Sequence, residues 1–181
     1  LKYLSKTQLL KEYSFSNRLE DIFVLNKDII IPKFINDKHL YIWKINKDNT
    51  LTNAFSIDMG FNIGSLLKYD NILFVKDYSR ITFINLDNYQ IIKQIENLDI
   101  CCMTKSMNGN ILLGIKGKKG YDIVECKFDK TTYDLTKLKL IANAYDTEIS
   151  EIIEMENGNI ISYKEYNNLI VIWNRKADLK K

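Results

Sequence analysis

The sequence predicts an all-β fold of repeated, short antiparallel strands. Three observations carry this. First, apolar runs of about five residues, rich in Ile, Leu, Val, Phe and Tyr, alternate with Asn, Asp, Lys and Gly, the pattern of short strands joined by tight turns. Second, the runs recur with a period of 40-odd residues. The third run of each repeat ends at Trp43, Ile84, Cys126 and Trp173, which are 41, 42 and 47 residues apart. The second run starts at Ile29, Ile72, Ile111 and Ile160, each preceded by Asp or Asn (Asp28, Asn71, Asn110, Asn159). Third, Asn157-Gly158 breaks two apolar runs with a dipeptide that readily takes positive φ, the geometry of a hairpin turn. A period near 40 with three or four strands per repeat is the signature of a β-propeller blade, and the chain holds about four such units.

In order, residues 7–16 read as a lone outer strand. The first unit places strands at 22–25, 29–34 and 40–45, followed by an outer strand at 51–57. The second has 63–67, 72–75 and 81–86, with 90–95 outside. The third has 100–104, 111–115 and 121–128, with 135–141 outside. The fourth has 149–155, 160–163 and 169–173. Grouped with the outer strand first, the units fall near residues 7–46, 51–87, 90–128 and 135–174 of a single domain spanning 1–181. Four units lie at the low end for a propeller, so further blades from a parent chain or a second copy are expected to complete it.

Composition narrows the classes. A hydrophobic fraction of 46% and an aromatic fraction of 12% fit a packed core and exclude a disordered chain. The net charge of +3 is small, and lysines alternate with acids, so a nucleic-acid partner is not expected. No run reaches the roughly 18 apolar residues of a membrane span. The three cysteines, Cys101, Cys102 and Cys126, sit in apolar runs and read as reduced core residues. An Asn-rich chain with no Asn-x-Ser/Thr sequon fits a cytoplasmic or nuclear location.

The segments Asn36-Asp37-Lys38-His39-Leu40-Tyr41-Ile42-Trp43 and Asn167-Asn168-Leu169-Ile170-Val171-Ile172-Trp173-Asn174 resemble the WD40 repeat family, whose usual line is Ser-x-Asp-x-Thr-Ile-x-Val-Trp-Asp. Asp37 stands where the family's turn aspartate stands, Asn167 takes that place in the fourth unit, and Asp77 lies one residue further from its strand end. Residues 157–162 are similar to the family's Asp-Gly-x-x-Leu-x-Ser segment. The resemblance covers roughly residues 7–174 and implies a scaffold of four-stranded blades. It departs at the family's Gly-His pair, absent from all four units. The only histidine, His39, falls in a turn, so the family's Asp-His-Ser-Trp network is not expected.

No catalytic or metal constellation emerges. One histidine leaves no Ser-His-Asp or Cys-His set, and no Cys-x-x-Cys or zinc spacing occurs. Gly109 and Gly114 have the spacing of phosphate-loop glycines, but Ile115 stands where the lysine must be. No enzyme activity, no cofactor and no metal are therefore expected. The expected function is a protein–protein interaction scaffold that binds a peptide or protein partner through loops on one propeller face. Candidate partner-binding residues are His39, Tyr78, Arg80, Lys118, Lys119, Tyr121 and Tyr166, since Tyr and Arg combine apolar area with a directed polar end. Asp37, Trp43, Asp77, Asn167 and Trp173 are expected to be structural repeat positions. The alternative is a ligand-binding or enzymatic propeller with a polar site at the mouth of the first inner strands, where Arg18, Asn62, Asp99 and Glu148 stand.

Overall fold

The computed structural model describes residues 11–77, 79–164 and 168–174. Every regular element among them is a β-strand, and no helix is long and apolar enough to cross a membrane. The chain divides into two compact units, Leu1–Ile63 and Gly64–Lys181.

The first unit carries one four-stranded antiparallel sheet in the order β1 (Leu19–Asn26), β2 (Ile29–Phe34), β3 (His39–Ile45), β4 (Leu51–Asp58). Alternation makes its core. Ile31 on β2, and Leu40 and Ile42 on β3, are fully buried, while β4 is exposed along most of its length. Residues 11–16, expected to end an outer strand, form none; residues 7–10 of that expected strand lie outside the described residues. Side chains anchor this segment instead. The Tyr13 hydroxyl donates to the Asn49 carbonyl and accepts from the Leu51 N–H, each at 2.8 Å, and Phe15 packs on Phe34 and Trp43.

The second unit carries three sheets. The first is β5 (Ser65–Tyr69), β6 (Ile72–Lys76), β7 (Arg80–Asn85) and β8 (Ile91–Glu96). The next is β9 (Ile100–Lys105), β10 (Ile111–Lys116), β11 (Tyr121–Phe128) and β12 (Leu135–Tyr145). The last is β13 (Glu151–Glu154), β14 (Ile160–Lys164) and β15 (Leu169–Trp173). Throughout the chain each outer strand pairs with the inner strand just before it, so the sheets take in residues 19–58, 65–96, 100–145 and 151–173.

Two apolar layers join the sheets of the second unit. Phe74 and Phe83 pack on Phe128 from β11, with Ile100, Ile111, Leu113 and Val124 around them. Burying each ring contributes roughly 1.5–3 kcal/mol. Cys102, Leu112 and Ile123 meet Ile149, Ile152 and Ile160 in the second layer. The Asn157-Gly158 turn forms as expected, with Gly158 at φ 83° and a bond of 2.8 Å from the Met155 N–H to the Asn159 carbonyl.

The repeat positions divide in role. Asp37 Oδ1 accepts from the His39 N–H at 2.9 Å, and Asp77 Oδ1 accepts from the Ser79 and Arg80 N–H groups at 2.7 and 2.8 Å, so both carboxyl groups tie their turns. Desolvation raises the Asp37 pKa, but the bonds from His39 and Tyr41 outweigh it and leave it lowered. Trp173 is part of a buried polar cluster. Its Nε1–H donates to Ser162 Oγ at 2.6 Å, and that hydroxyl shares a 2.6 Å bond with the Tyr145 hydroxyl. The cluster links Trp, Ser and Tyr and holds no histidine, so it differs from the Asp-His-Ser-Trp network that the sequence was not expected to form. Trp43 has no serine at the matching place, which is Ile31; it packs on Phe15 and Phe34 and its Nε1 is buried without a hydrogen bond. Asn167 lies outside the described residues.

Candidate functional site

A cavity of about 170 Å³ in the second unit is lined by Asp99, Ile100, Cys101, Lys116, Tyr121 and Glu148. Local structure explains this gathering. Asp99 and Glu148 lie just before the first strands of two sheets that share the Cys102–Ile149 layer. Lys116 ends β10, its N–H bonded to the Asp99 carbonyl at 2.8 Å. Tyr121 opens β11 across a tight turn in which the Gly117 N–H donates to the Gly120 carbonyl at 2.6 Å. Of the two turn glycines, only Gly120 abuts backbone; Gly117 abuts the movable end of the Asp122 side chain. A Cβ on Gly117 would strike the Asp122 carboxyl group, and one on Gly120 would drive into the Tyr145 carbonyl oxygen.

Cys101 reaches the wall through an interrupted ladder. Cys102 faces Gly114 and Ile100 faces Ile115, which leaves Cys101 unpaired in a β-bulge and half-buried. Cys102 is buried. The Cys102 thiol donates to the Cys101 sulfur, and the backbone N–H groups of Ile149 and Cys102 add to it. These bonds outweigh burial and the nearby Glu148 charge and bring the Cys101 pKa down to about 7. The same thiol–thiol bond, with burial, pushes Cys102 up. Lys76, the last residue of β6, is 4% exposed. Desolvation lowers its pKa, against the charges of Cys101, Cys102, Glu148 and Asp77.

The arrangement offers two carboxyl groups as acceptors for hydroxyls, an ammonium and a phenol as donors, and a thiol disposed toward the thiolate. Among the described residues no group of three or more His, Cys, Asp or Glu side chains is placed to hold a metal ion.

The loop residues expected to bind a partner distribute differently. Tyr121 faces the cavity. Lys118 and Lys119 are exposed in the β10–β11 turn. Arg80 is tied to its own turn, Nε 3.0 Å from Asp77 Oδ2, and the exposed His39 has Nδ1 3.1 Å from Asp37 Oδ1. Tyr78 and Tyr166 lie outside the described residues. Of the four channel-mouth residues, Asp99 and Glu148 meet at the cavity, whereas Arg18 and Asn62 belong to the first unit. Sequence reasoning missed Lys76 and Cys101 and did not count Lys116 among the candidate residues. One signal pointed to the lysines: each second strand of this unit ends in Lys, at Lys76, Lys116 and Lys164.

No family model matches the sequence, and no curated protein matches it. Solved structures do. A Bacteroides fragilis protein assigned as a 6-phosphogluconolactonase is similar at TM-score 0.61 and 15% identity, over 89% of this chain and 52% of that one. The Pseudomonas aeruginosa periplasmic gluconolactonase is similar at TM-score 0.66 and 8% identity, over 86% of this chain and 49% of that one. Saccharomyces cerevisiae Sqt1 is similar at TM-score 0.63 and 8% identity, over 88% of this chain and 46% of that one. The chain therefore spans about half the length of these structures. At such identities the likeness shows the fold, which is of the β-propeller type. It also corrects the expectation of a non-enzyme. Proteins named as lactonases carry this fold, so the lack of a histidine-based constellation gives no ground for excluding catalysis.

Proposed function

We propose that this chain is part of a ligand-binding propeller of the enzymatic kind, which takes a small hydroxylated molecule at the Asp99–Glu148 cavity. One observation carries the reading: Asp99 and Glu148, from two successive sheets, line with Lys116 and Tyr121 one open hollow at the strand mouths. A polyol presents several O–H groups, each able to donate to a carboxylate, while an ammonium and a phenol suit its carbonyl or acid group. Sugar-acid lactones combine these features, and two structures of the same fold are named for them.

The test is calorimetric titration of the chain with a six-carbon sugar-acid lactone, its phosphorylated form and the open-chain acids, with proton release followed in parallel. Binding that Asp99→Asn and Glu148→Gln each weaken tenfold or more is the expected result. Absence of binding to all four compounds, or unchanged binding by both variants, overturns the reading.

A further inference from the structure

In a regular strand, Cys101 and Cys102 would point to opposite faces. The bulge cancels that alternation. Both sulfurs instead converge over Gly114: a Cβ placed there would lie 2.7 Å from Cys102 Sγ and 2.9 Å from Cys101 Sγ. The missing side chain of Gly114 thus makes room for two sulfurs in one place, beside a cavity that Cys101 lines. The pair is not poised to become a disulfide. Neighbouring Cα atoms are about 3.8 Å apart, short of the roughly 4.4 Å at which disulfide geometry begins.

We propose that Cys101 and Cys102 form a two-sulfur site for a soft, thiophilic d10 metal ion of the Cu(I) class. Thiolates are the ligands such an ion selects, and two-coordination satisfies it. Zinc is disfavoured, because it requires three or four protein ligands and no cluster of that size exists among the described residues. Binding releases the Cys102 thiol proton to solvent as its sulfur turns from the Cys101 hydrogen bond to the ion. The Cu(I) ion between two thiolates then carries one net negative charge, and the buried Lys76 ammonium acts on both sulfurs. The cavity supplies the approach, with Asp99 and Glu148 at its wall to draw a cation in. The third cysteine, Cys126, is buried on β11 opposite Ile111 and takes no part.

The test titrates the reduced, full chain anaerobically with Cu(I) against bicinchoninate, whose colour reports the ion it still holds. One Cu(I) per chain is expected, with two sulfur ligands by X-ray absorption. Cys101→Ser and Cys102→Ser should each weaken it a hundredfold or more, and Cys126→Ser should leave it unchanged. Gly114→Ala keeps every thiol but wedges the pair apart, and should weaken it at least tenfold. Circular dichroism checks each fold. Should Gly114→Ala not fold, protection of the folded wild type from iodoacetamide decides: half-buried Cys101 must be labelled without Cu(I) and shielded with it, and labelling of Cys101 unchanged by Cu(I) overturns the site. No Cu(I) uptake, uptake that survives both Cys101→Ser and Cys102→Ser, or loss with Cys126→Ser overturns the site. The proposal does not rest on the small-ligand reading, since Asp99→Asn and Glu148→Gln remove neither sulfur.

Discussion

Lys164 and Lys116 end the second strands of neighbouring sheets and have opposite fates. Lys164 is 1% exposed, and its ammonium sits 2.6 Å from Asp146 Oδ1. Close by in sequence and on the same strand stands Ser162, bound by Trp173 and Tyr145. Lys116 is exposed at a cavity wall beside Asp99, Glu148 and Tyr121. The bulge between Gly114 and Ile115 marks the difference: β10 runs one residue longer than β14 and its ladder to β9 slips. The repeat thus sets a lysine at a strand end, and the local ladder decides whether it closes the structure or lines a site.

The closed end should break hardest at Ser162. Ser162→Ala removes the acceptor of the Trp173 indole N–H, and an orphaned buried donor costs about 1–3 kcal/mol. Tyr145→Phe should cost less, because the indole keeps its partner. Urea unfolding of the two variants checks the order; equal midpoints would show the cluster to be incidental. Next comes Gly120→Ala, which presses a methyl group on the Tyr145 carbonyl and should destabilise by about 1–2 kcal/mol, as overpacking does. Because Tyr121 is the next residue, ligand binding should fall with it.

A third, smaller effect is acid-dependent. The bond from Lys164 holds the Asp146 carboxyl pKa below its ordinary value of 3.8. A lowered carboxyl pKa stabilises the fold above the unfolded value, and that contribution fades as pH falls through the folded one. Asp146→Asn should therefore flatten the loss of stability below pH 3.8 and converge with the wild type at the acid end. Parallel curves in thermal melts across that range would refute the pairing.

Much of the fold was legible because a period repeats. The marker positions Ile29, Ile72, Ile111 and Ile160 all fall on second strands, three of them opening β6, β10 and β14 and the first opening β2. Asn157-Gly158 fixed its own turn through backbone preference alone. Less was legible where a single residue is out of step. Nothing in Ile100-Cys101-Cys102 announces a bulge, since a bulge belongs to a pair of strands and not to one. Normal alternation would set the two cysteines on opposite faces of the strand, so the convergence of both was hidden. Tyr145 gave no signal because the outer strand was expected to stop at 141; β12 runs on to Tyr145, and from its end the phenol reaches Ser162. The cavity residues Asp99 and Glu148 were visible as strand-mouth acids, but the third side, Lys116, needed the ladder.

The smallest expected change in stability is the most telling one for the open end. Lys116 is exposed, so Lys116→Ala should alter unfolding free energy by no more than about 0.5 kcal/mol. At Lys164 the same truncation removes a buried side chain and its ion pair and should lower the urea midpoint clearly. Ligand binding should invert the ranking. Lys116→Ala should weaken the calorimetric signal of a sugar-acid lactone at least fivefold, whereas Lys164→Ala, measured where it is folded, should leave it near the wild-type value. If Lys116→Ala proved as destabilising as Lys164→Ala, the two strand ends would be serving the same structural purpose. The cavity would then be a seam between sheets, with its polar groups needed for folding rather than for a ligand.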